Sequence, residues 1–61
     1  MTFFRPILEG DRFVPGPPLS TEEVQNLGKV MCVTVTPEGI QVWFEKNGKV
    51  RWVFLEERRS K

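Results

Sequence analysis

Histidine and tyrosine are absent from this 61-residue chain, and cysteine occurs once, at Cys32. Without His, acid–base work near neutral pH falls to carboxylates, Lys and water, and a nucleophilic Ser, Thr or Cys lacks its usual base. A single thiol cannot close a disulfide within the chain. With no His beside it, it cannot complete a zinc site of the Cys/His kind from one subunit either. Asp11 is the only aspartate. It forms with Glu9 the one close acidic pair outside helix or tail contexts, and the pair flanks Gly10 in a turn, where a solvated hairpin tip is the simpler reading. The glycines stand singly at positions 10, 16, 28, 39 and 48, so neither common spacing of a phosphate-binding loop occurs. No catalytic, cofactor-binding or metal-ligating residue is assigned, and the chain reads as non-enzymatic.

Long apolar runs are also missing. Nothing approaches the roughly 20 apolar residues of a membrane span, and Met1-Thr2-Phe3-Phe4-Arg5-Pro6 lacks the basic and apolar regions of a signal peptide. An unpaired Cys favours a reducing compartment, so the expected location is cytoplasmic, away from membranes. Cys32, between Met31 and Val33, reads as a small buried hydrophobe. Charge is nearly balanced, with 9 Lys+Arg against 8 Asp+Glu and a net charge of +1, which is weak for a nucleic-acid binder. A domain of this length buries only about 60% of the surface of its unfolded chain, so self-association is a natural source of further stability.

What is abundant is β-branched and aromatic sequence in the second half. Val30–Val35, Ile40–Glu45 and Lys49–Leu55 are strand-like runs separated by Thr36-Pro37-Glu38-Gly39 and Lys46-Asn47-Gly48-Lys49. Asn47-Gly48 suits a two-residue type I′ turn, whose central residues both need positive φ. That register pairs Lys46 with Lys49 and sets Trp43 opposite Trp52 at a non-hydrogen-bonded position, where side chains lie closest. For the other turn, Pro37 and Gly39 fit a three-residue loop with a bulge, which opposes Thr36 to Ile40 and Val33 to Trp43.

These registers sort the side chains into two faces. One carries Val30, Cys32, Thr34, Thr36, Ile40, Val42, Phe44, Arg51, Val53 and Leu55. The other carries Met31, Val33, Val35, Gln41, Trp43, Glu45, Val50, Trp52 and Phe54. Both are largely apolar, so both need cover.

Cover comes from the first 28 residues or from another molecule. Ser20-Thr21-Glu22-Glu23 fits a capping box, with Leu19 and Val24 as a hydrophobic staple, and predicts a short helix ending at Gly28. Three prolines within Val14-Pro15-Gly16-Pro17-Pro18 predict an extended spacer, and Pro6 limits the N-terminal segment to an edge strand or an irregular arm.

The expected fold is α+β: a small twisted antiparallel β-sheet, built on a three-stranded meander over 29–56 with room for one or two N-terminal strands, and one short helix around 20–27. It forms a single small domain over 1–61, comprising an N-terminal arm 1–19 with the Pro-rich spacer 14–18, a helix 20–28, the meander 29–56 and a charged, frayed tail 57–61. The expected function is a small protein-interaction module, a homodimer or a small subunit of a larger assembly. If the helix covers the Trp face, the candidate interface is Val30, Thr34, Ile40, Val42, Phe44, Val53 and Leu55. The alternative is a sheet-face nucleic-acid binder, with Trp43, Trp52 and Phe54 as an aromatic platform and Lys46, Lys49 and Arg51 as phosphate contacts.

Overall fold

A computed structural model describes residues 2–56; the charged tail 57–61 lies outside the described residues. The chain runs β1 (Thr2–Glu9), β2 (Arg12–Pro18), α1 (Thr21–Gln25), β3 (Lys29–Thr36), β4 (Gly39–Lys46) and β5 (Lys49–Glu56). The strands form one antiparallel sheet in the order β2-β1-β5-β4-β3. The meander is therefore part of a five-stranded sheet, with the N-terminal hairpin added along β5.

Turn chemistry fixes most of the register. Asn47 and Gly48 both take positive φ, 54° and 79°, and the β4–β5 ladder runs from Lys46↔Lys49 through Trp43↔Trp52 to Ile40↔Leu55. The β3–β4 turn departs from expectation. It is a two-residue loop of Pro37 and Glu38 closed by Thr36↔Gly39, because the Thr36 hydroxyl donates to the Gly39 carbonyl at 2.7 Å and accepts from its N–H at 3.1 Å. The bulge lies instead between Val30 and Cys32. A one-residue slip reverses the facing of a strand, so Cys32 and Thr34 move to the Trp face while Val33 and Val35 join Val42 and Ile40.

The Pro-rich segment is not a free spacer: it forms β2, an edge strand, where missing N–H groups are tolerated. The helix is also shorter than expected. Its capping box is complete, with Glu23 N–H donating to Ser20 Oγ at 3.2 Å and Ser20 N–H to Glu23 Oε1 at 2.9 Å. It ends at Gln25 because Asn26 caps it, its side-chain amide donating to the Glu22 carbonyl at 3.0 Å. Gly28 follows with φ 105°. A Cβ there would sit 2.4 Å from the Glu45 carbonyl oxygen, so glycine is required both for the left-handed backbone and for the approach to β4.

The core lies on the Val42 face. Leu27, Val42, Phe44 and Val53 are buried together, with Phe3, Leu19, Val24, Ile40 and Leu55 packed around them. A five-residue helix has no stability of its own; it is held by the staple residues, which pack on this cluster.

The opposite face is covered by curvature. In a flat sheet β2 and β5 would stand two strand spacings apart, about 10 Å, and the β3–β4 loop farther still. Yet Phe13 of β2 meets Trp52 edge-on at 5.4 Å, and Arg12 pairs with Glu38 in the β3–β4 loop at 3.1 Å. The N-terminal hairpin thus folds over the Trp face and encloses Phe54, the most buried residue among those described.

Candidate functional site

Burial reassigns the face expected to be an interface. Val42, Phe44 and Val53 lie under the helix and Phe3, whose ring contacts Phe44 at 5.9 Å and 75°, so the chain's own N-terminal segment supplies the cover. Ile40 and Leu55 are half-buried at the rim of this core. Thr34 is exposed on the opposite face, a consequence of the slipped register. Of the seven candidate interface residues only Val30 is both exposed and on the expected face.

The aromatic residues do lie together, but as packing. Trp43 and Trp52 stand 5.9 Å apart across the strands, and Trp52 is met edge-on by both Phe13 and Phe54. Phe54 is too buried to stack on a ligand, its ring lying over Gly39, where a Cβ would come within 3.1 Å. The basic rim is divided. Lys46 donates to Asn26 Oδ1 at 3.2 Å and so ties the helix end to β4. Lys49 and Arg51 are exposed, and neither takes part in the two ion pairs among the described residues. Cys32, expected to be buried, is exposed because β3 is an edge strand.

Two features escape a face-by-face reading of the sequence, because each depends on strand order. The first is the outer edge of β3. Val30, Met31, Val33 and Val35 are 61, 53, 58 and 79% exposed. In the β3–β4 ladder Cys32, Thr34 and Thr36 occupy the hydrogen-bonded positions, so Val33 and Val35 aim their N–H and C=O groups away from β4, where no strand follows. The opposite edge differs: β2 carries three prolines in seven residues, an arrangement that blocks strand addition.

The second is a cleft where β1 leaves β5. The ladder between them covers only Thr2↔Glu56, Phe3↔Leu55 and Phe4↔Phe54. The next hydrogen-bonded pair would be residue 6 with Trp52, and residue 6 is proline, which has no N–H to give. An open cavity of about 570 Å³ lies in the gap, walled by Arg5 and Pro6, by the helix and by Lys49–Val53 of β5.

Among the described residues there is no group of His, Cys, Asp and Glu able to hold a metal ion, and no helix long and apolar enough to cross a membrane. The Glu23 carboxyl is held below its ordinary value by the Ser20 backbone N–H and then by Arg5, which is the capping arrangement rather than a reactive site. No protein-family model, no curated protein and no solved structure matches the chain.

Proposed function

We propose that this chain is a non-enzymatic interaction module that self-associates through the outer edge of β3. The observation carrying this reading is the asymmetry of the two sheet edges: β2 is blocked by prolines, whereas β3 leaves the backbone groups of Val33 and Val35 unpaired beside exposed apolar side chains. Antiparallel pairing of two β3 strands about a twofold axis near Thr34 matches the outward Val33 of each copy with the outward Val35 of the other. It also places the two Lys29 side chains at opposite ends, so the only charge of the strand is not opposed by its own copy. The sheet becomes continuous across both chains, and Val33 and Val35 gain the cover that a short helix cannot give them.

Substitution of Val33 by Lys places a charge at the centre of this edge, the device that natural sheets use against edge pairing. Because Val33 is exposed, the Val33→Lys variant keeps its fold. Sedimentation equilibrium should find a concentration-dependent dimer for the wild type and a monomer for the variant. A wild type that stays monomeric at millimolar concentration, or a variant that dimerises equally, contradicts the reading.

A further inference from the structure

From the cleft between β1 and β5 we infer a second interaction site, one that takes an extended acidic peptide as an added strand along β5. Phe54 and Glu56 spend their outward backbone groups on Phe4 and Thr2. Val50 and Trp52 have the same outward orientation, since Lys49, Arg51 and Val53 are the residues bonded to β4. Their N–H and C=O groups face the cleft and have no strand opposite them, which is the template for strand addition. The cavity volume of about 570 Å³ falls within the roughly 300–1,000 Å³ of ligand sites.

Charge selects the occupant. On the helix side of the cleft Arg5 is neutralised by Glu23 and Glu22 adds a carboxylate, so the cationic wall is β5 alone, where Lys49 and Arg51 are exposed and outside the described ion pairs. Val53, next on the same face, lies beside Leu19 and Leu27. An antiparallel peptide therefore meets an apolar position first, then two cationic ones at every second residue. The pattern is met by Val-Thr-Glu-Thr-Glu, with the threonines opposite Trp52 and Val50.

The test titrates ¹⁵N-labelled protein with this peptide, acetylated and amidated, and with Val-Thr-Lys-Thr-Lys as its charge-reversed control. The expected result is a saturable change at the Val50 and Trp52 amides, with the control weaker by about tenfold. The Arg51→Glu variant, altered at an exposed position but keeping Lys49, should abolish that preference. The inference is overturned if the Val50 and Trp52 amides do not respond to millimolar peptide, or if both peptides bind equally. It is also overturned if those amides shift with protein concentration alone, which would assign this edge to a second copy of the chain.

Discussion

Val42 and Trp52 mark the centres of the two packed faces, and they differ in what they tolerate. Val42 is 4% exposed beneath Leu27 and the helix. An aspartate there would be an unpaired buried charge costing several kcal/mol, against the roughly 3–5 kcal/mol that a core of this size supplies. The Val42→Asp chain is expected to be unfolded, with collapsed amide dispersion in its NMR spectrum; a folded variant would refute the placement of the core. Trp52 touches three aromatic rings, whereas Trp43 touches only that of Trp52. Removal of Trp52 should approach the lower end of the about 3–5 kcal/mol seen for aromatic truncation, and Trp43→Ala should cost about half as much. Urea denaturation of the two variants checks the order.

The Trp43–Trp52 pair was legible in the sequence because Asn47-Gly48 admits one turn type and so one register. Which face held the core was not. Both faces carry apolar residues at similar density, and the choice rests on where a five-residue helix and a curled hairpin come to lie.

At the scale of elements, α1 is set by its cap. Ser20, Glu23 and the Leu19/Val24 staple are local signals and were readable directly, as were the turns at Gly10 and Asn47. Glu23 also makes the cap sensitive to acid. Its folded-state pKa lies below the ordinary 4.5, lowered by the Ser20 backbone N–H and by Arg5. The cap's contribution is therefore present above that ordinary value and is lost as pH falls through the lower folded value. Thermal unfolding should show wild-type stability falling more steeply below pH 4.5 than that of Glu23→Gln, which keeps a side-chain acceptor but does not titrate; parallel curves would exclude the coupling.

The β3–β4 turn is ambiguous in the sequence itself. Pro37 and Gly39 fit both a two-residue and a three-residue loop, and the side-chain bonds of Thr36 to Gly39 decide between them. That single residue of slip moved Thr34 and Cys32 off the core face and brought Val33 and Val35 onto it.

For the whole molecule, strand order matters more than facing. With β2 and β3 at the two edges, the prolines protect one edge and leave the other as the exposed apolar surface. Neither edge could be identified from the sequence, because the insertion of β1 beside β5 brings together residues about 50 positions apart. That β1 follows β5 for only three residue pairs has a local cause in Pro6, and it is what opens the cleft. Hydrogen exchange at the β3 amides tests the central proposal most directly. Cys32, Thr34 and Thr36, bonded to β4, should be protected at every protein concentration. Val33 and Val35 should be protected at high concentration and lose that protection on dilution, as two copies separate. Fast exchange at Val33 and Val35 at all concentrations, with their neighbours protected, would contradict self-association through this edge.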